Sequence, residues 1–150
     1  MTLKRWIRTL IAAAGLAGTG LAACAVGNLT GLSVPTRTLD AQIALIEAHS
    51  AVRYPASAEG PVPAALLFHG CGGLRQVQAD YGAALREAGF AVITVDSNTP
   101  RGIGRFEAMT QVCTAQRLLG QERAADITAA IALARRDPRI DSERLAIIGW

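Results

Sequence analysis

The stretch Ala64-Ala-Leu-Leu-Phe-His-Gly-Cys-Gly-Gly73 constrains the fold more than any other part of the chain. Five apolar residues without alternation read as a strand buried on both faces, the kind found inside parallel sheets. The His-Gly turn that follows, with three glycines in four positions, ends that strand and opens main-chain N–H groups to a ligand oxygen. Gly70, Gly72 and Gly73 lack a Cβ and are each expected to be free to take φ > 0 there.

The chain on either side fits an α/β domain. Tyr81, Ala84, Leu85 and Ala88 follow i, i+3, i+4, i+7 and predict one helix face over Gln78–Ala88, closed by Gly89 as a C′ glycine. Phe90-Ala-Val-Ile-Thr-Val95 predicts a second buried strand, ended by Asp96, so that the crossover fits a right-handed βαβ unit. From Asp96 to Gly120 runs a long connection with Pro100-Arg101-Gly102 and Gly104, and connections of that length are functional or flexible. A helix is expected from near Gln121 to Arg136, with Ala124, Ile127, Ile131 and Ala134 facing inward and Asp137-Pro138 as its stop. Leu145–Ile148 is then a third strand. The order βαβαβ specifies a mostly parallel sheet with helices on both faces. Upstream, Ile43, Leu45 and Glu47, then Ala51, Val52 and Tyr54, suggest two short strands before the Pro55–Pro63 loop, with His49 between them at or near the surface.

The formal charge of +3 says little about partners. Lys4, Arg5 and Arg8 fall in the first eight residues and no acidic residue precedes Asp40, so the fifteen basic residues less these three balance twelve acidic ones. A neutral body gives no reason to expect nucleic acid. The basic start, the apolar Leu10–Leu21 run and Leu21-Ala22-Ala23-Cys24 have the order of an export signal. The tetrapeptide resembles the lipobox of bacterial lipoprotein signals, with residues 1–23 removed and Cys24 lipidated. Ordinary cleavage after Ala23-Cys24-Ala25 and an uncleaved anchor are the other readings. Residues 24–38, with Gly, Asn, Thr, Ser and Pro, suit a tether to a domain over 39–150. The chain is thus expected to be exported and lipid-anchored in the periplasm, at the outer membrane or elsewhere in the envelope, or else soluble in the periplasm.

Three motifs compete for the glycine loop. A dinucleotide fingerprint from Gly70 would need glycine where Arg75 stands, and a phosphate-binding P-loop would need Gly-Lys-Ser/Thr. The oxyanion loop of an α/β-hydrolase, a His-Gly turn after a strand, fits His69–Gly73. The end of the sequence agrees: Leu145-Ala-Ile-Ile-Gly149-Trp150 is an apolar strand running into the first two positions of Gly-x-Ser-x-Gly. An apolar strand is an unusual place for a domain to stop, so the nucleophile is expected just after Trp150 and the 150 residues alone are expected to be inactive.

Over roughly Ala51–Trp150 the sequence resembles the dienelactone hydrolase-like branch of the α/β-hydrolases. The resemblance is carried by Leu66-Leu-Phe-His-Gly-Cys-Gly-Gly73, Val95-Asp-Ser-Asn-Thr-Pro-Arg-Gly102, Val112-Cys113 and Arg144-Leu-Ala-Ile-Ile-Gly-Trp150. It implies the N-terminal part of a hydrolase of small-molecule esters or lactones, with a Ser or Cys nucleophile, an Asp and a His, and no metal or organic cofactor. Only the oxyanion loop of that machinery maps onto this chain, through the Cys71 N–H. Dienelactone hydrolases carry an acidic residue where this chain has Gly70, which favours a general carboxylic ester over a lactone.

The remaining candidates have structural readings beside functional ones. His69 and Asp96 end strands and are expected to shape loops. Arg101 is expected either to hold a substrate carboxylate or to fix the long loop through a salt bridge. Cys71 and Cys113, on loops at one end of the sheet, suit a disulfide in an exported protein, with free buried thiols, or a nucleophile or metal-ligand role, as alternatives. A non-catalytic lipoprotein module for binding or scaffolding, or a truncated relic, is the alternative to the enzyme.

Overall fold

The computed structural model describes residues 37–150. The leader, Cys24 and the tether up to residue 36 lie outside the described residues. Thr38 Oγ1 accepts from the Ala41 N–H and opens helix α1, Leu39–Glu47. This corrects the strand expected over Ile43–Glu47: Ile43 and Ile46, three residues apart, are both buried with Gln42 on one helix face. Strand β1, Ser50–Arg53, is the second of the two short strands expected there, and His49 before it is exposed.

Strand β2, Val62–Phe68, helix α2, Gln76–Glu87, and strand β3, Ala91–Val95, form the expected crossover with β2 and β3 parallel. Helix α3, Gly120–Arg136, leads to β4, Ile140–Gly149, which pairs in parallel with the other side of β2. The sheet order is β1-β3-β2-β4, with β1 antiparallel to β3. Side chains alternate across β2. Ala64, Leu66 and Phe68 meet Ile43 and Ile46 of α1 and Ala129, Ala130 and Ala134 of α3, while Ala65 and Leu67 meet Leu85 of α2 and Ile148 of β4. Each fully buried Leu or Ile contributes about 1.5–3 kcal/mol, so the two-faced burial of β2 is what holds both helix layers to one sheet.

Two helix faces differ from the periodicity. On α2, Gln78 and Gly82 are buried and Leu85 is half-buried, whereas Tyr81, Ala84 and Ala88 are exposed. Gly82 lies inward because a Cβ there would reach Val92 and Leu67 of the sheet at 3.4 and 3.7 Å. On α3 the buried stripe is Asp126, Ala129, Ala130 and Ala134, with Ile127 and Ile131 on its flank and Ala124 exposed. A carboxylate takes the position that an apolar count gives to its neighbours.

At the start of the parallel strands, Tyr54, Asp137 and Arg139 form a clasp. The Tyr54 hydroxyl donates to Asp137, Arg139 reaches both, and its guanidinium lies 3.8 Å from the Tyr54 ring centre. Hydrogen bonds from Arg139, foremost, and Tyr54 hold the Asp137 carboxyl down at about 2.

Among the described residues β4 forms one outer edge of the sheet, with Ile147 half exposed on it. An open apolar edge is a template for further strand pairing. These 150 residues expressed alone are therefore expected to self-associate in sedimentation velocity. A monodisperse monomer with a sharp, reversible unfolding transition would contradict this.

Candidate active site

β2, β3 and β4 all point their C-terminal ends the same way, so the loops after Phe68, Val95 and Gly149 meet at one edge of the sheet. From β2 the chain crosses to β3 on one side, and from β3 it returns to β4 on the other side of β2. The order reverses between β2 and β4, and crevices at such switch points are where open α/β sheets bind ligands.

The glycine loop and the end of β4 meet at that edge. The Trp150 N–H donates to Phe68 O at 3.2 Å, continuing the ladder that pairs Phe68 with Gly149. A Cβ on Gly70 would lie 3.0 Å from Trp150 O, so glycine is what lets the loop main chain approach the chain leaving β4. Trp150 is also stacked edge-on against Tyr81 of α2, ring centres 5.3 Å apart. Gly70 to Gly73 form a turn closed by the Gly73 N–H to Gly70 O at 3.2 Å. Of the three loop glycines only Gly73 takes positive φ, +85°. No described residue accepts from the Cys71 N–H.

His69 shapes this loop from beneath. It is fully buried, and its Nε2 accepts from the Ser97 N–H at 3.0 Å, which leaves the ring proton on Nδ1 to be donated to Gly70 O at 2.6 Å. Both nitrogens are committed to main chain, so the imidazole is not free to act as a base. Burial pushes its pKa below 6.5, against the opposing pull of the Gly70 carbonyl. Because the folded pKa lies below the unfolded one, the neutral ring stabilises the fold fully above pH 6.5, and that contribution is lost as pH falls below it. The denaturant midpoint is expected to fall over that range, ahead of the carboxylates, and a His69→Gln variant is expected to flatten the fall. An unchanged profile would contradict the assignment.

Asp96 works on its own loop. Burial opposes its charge, but hydrogen bonds from the Thr99 side chain and from the Thr99 and Asn98 N–H groups outweigh it and hold its pKa below the ordinary value. Its Oδ1 stands 3.7 Å from His69 Nε2, too far for a hydrogen bond, and the ring is neutral.

Arg101 is held by the protein itself. Its terminal nitrogens donate to Asp126 at 2.9 and 3.2 Å and to Ser97 O at 2.7 Å, and Glu122 lies 3.8 Å from its Nε. Asp126 is fully buried and also accepts from Gln42 of α1, while Arg123 donates to His69 O. Two arginines and two carboxylates thus balance beneath the loop, linking α1, α3 and the turns after β2 and β3. Asp126, Arg123, Gln42 and Ser97 are the site residues that the sequence reading missed. The one available signal is Asp126 at four and eight residues before Ala130 and Ala134, inside an apolar stripe.

A disulfide joins Cys71 to Cys113, with Cα atoms 5.0 Å apart, and ties the glycine turn after β2 to the π-helical turn Ala108–Val112. Between them lies a cavity of about 290 Å³ lined by Gly72, Gly73, Asp96, Asn98, Arg105 and Ala108, among others.

No protein-family model and no curated protein matches the chain. Solved structures do. One from Klebsiella pneumoniae subsp. pneumoniae MGH 78578, described as a dienelactone hydrolase, is similar with a TM-score of 0.56 and 19% identity over 67% of this chain and 43% of its own. A second, m3DLH, has a TM-score of 0.56 and 24% identity over 67% of this chain and 42% of its own. The match thus spans less than half the length of either structure. The chain carries a partial dienelactone hydrolase-like fold, with its glycine loop and the end of β4 at the switch point of the sheet.

Proposed function

We propose that this chain is part of an exported carboxylic-ester or lactone hydrolase acting by acyl transfer. The observation that carries the reading is the close approach of the glycine loop at Gly70 to the main chain leaving β4, at the switch point, with the Cys71 N–H next in the loop and without an acceptor among the described residues. A nucleophile at the position after Trp150 would attack the ester carbonyl, and the oxyanion would lie between the Cys71 N–H and the N–H following the nucleophile. The acid and base come from chain beyond Trp150, since His69 has both nitrogens committed and Asp96 caps its own turn. The Leu21–Cys24 lipobox supports a lipid anchor that holds the enzyme at the envelope membrane. The test is turnover of a chromogenic short-chain ester by the natural full-length protein. Turnover supports the hydrolase, and its absence with a folded protein supports a binding or scaffolding module or a relic.

A further inference from the structure

The cavity beside the oxyanion turn is lined by one buried polar side chain that the fold positions but, among the described residues, does not use. Asn98 has its main chain fixed: its N–H donates to Asp96 Oδ1 at 2.9 Å, and its carbonyl accepts from Arg101 and Ile103 N–H at 3.0 and 3.1 Å. Its side chain, by contrast, has no partner among the described residues. The residue is 4% exposed and its Oδ1 is buried and unpaired, while Nδ2 lies 3.2 Å from where a Cβ on Gly73 would stand. An unpaired buried carboxamide costs about 1–3 kcal/mol, and native structures retain such groups where something else completes them. Of the other polar side chains around the cavity, both Asp96 oxygens accept from its own turn and the Thr99 hydroxyl donates to Asp96, while Arg105 stands exposed at the rim, where solvent can hydrate it. Main chain rather than side chain lines the neighbouring wall at Gly72 and Gly73, immediately after the proposed oxyanion donor.

We infer that Asn98 is a specificity-determining residue that hydrogen-bonds a hydroxyl group carried beside the ester of the substrate. The inference rests on the ester-hydrolase reading. A carboxamide both donates and accepts, as a hydroxyl does, so one alcohol group satisfies it. The space beside it, about 290 Å³, has room for a short polar group. A pocket built around such a bond disfavours the analogue lacking the hydroxyl, because the carboxamide then stays unpaired.

The test uses the full-length protein with two matched pairs, ethyl lactate against ethyl propionate and 2-hydroxyethyl acetate against propyl acetate, followed by pH-stat titration. They place the hydroxyl on the acyl or the alcohol side. In one pair the hydroxylated ester is expected to be favoured at least about tenfold in kcat/KM, with the ratio falling towards one in Asn98→Leu and kept in Asn98→Asp, which retains an acceptor. Equal turnover within both pairs overturns the inference and leaves the hydrolase standing. A preference that survives in Asn98→Leu, or a fall by the same factor on both members, also overturns it. Failure to hydrolyse any ester instead overturns the hydrolase reading on which it rests.

Discussion

Replacing Asp126 with alanine is expected to cost about 3–5 kcal/mol of stability, a large share of the roughly 5–15 kcal/mol typical of a domain. The carboxylate is fully buried and accepts from Gln42 and twice from Arg101, itself almost wholly enclosed. Removing it leaves the Arg101 guanidinium, and Arg123 nearby, without their balancing charge, and an uncompensated buried charge costs far more than a lost contact. The denaturant midpoint of the full chain reads this directly. Asp126→Asn keeps an acceptor and is expected to lose less. Replacing both Asp126 and Arg101 by apolar residues of similar volume is expected to recover much of the loss, because the penalty lies in the orphaned charge. A shift below about 1 kcal/mol in Asp126→Ala, within the range of an ordinary surface substitution or little above it, would contradict this account of the cluster.

Replacing Gly70 with valine is expected to act on turnover more than on folding. The new Cβ would stand 3.0 Å from Trp150 O and 3.5 Å from its carbonyl carbon, both main-chain atoms that no rotamer change can move aside. The loop and the chain leaving β4 must then part, carrying the Cys71 N–H away from the carbonyl it is proposed to polarise. Misplacement on the scale of 1 Å costs about 10²-fold, and loss of one oxyanion donor about 10²–10³-fold. A fall of that size in kcat for a short-chain ester is expected in the full-length protein, with a stability loss of about 1–3 kcal/mol from crowding. A kcat within threefold of the unsubstituted protein would show that the approach of Gly70 to Trp150 has no catalytic consequence.

The parallel core was legible because β2 and β3 are apolar runs, broken only by Pro63 and Thr94 and ended by His69 and Asp96, and such punctuation survives tertiary context. Helix α1 was not, because Ile43, Leu45 and Glu47 alternate over a window too short to separate a period of 2 from one of 3.6. The inward faces of α2 and α3 were misplaced for a shared reason. Apolar counting favours Tyr81 and Ala124, whereas close approach to the sheet is made by Gly82, and a buried carboxylate at Asp126 has its partners at Gln42 and Arg101, far away in sequence. The glycine loop itself was visible. Its support was not, since the tautomer of His69 depends on Ser97, a residue 28 positions away.

The most direct test is the reaction of the full-length protein with a fluorophosphonate if the position after Trp150 is serine, or with a thiol-directed acylating ester if it is cysteine, followed by peptide mapping. The account predicts a single covalent adduct at that position, formed in step with loss of esterase activity, and both abolished by alanine substitution there. Labelling elsewhere, or an esterase activity that survives that substitution, would contradict the assignment of the glycine loop and the end of β4 to one active site.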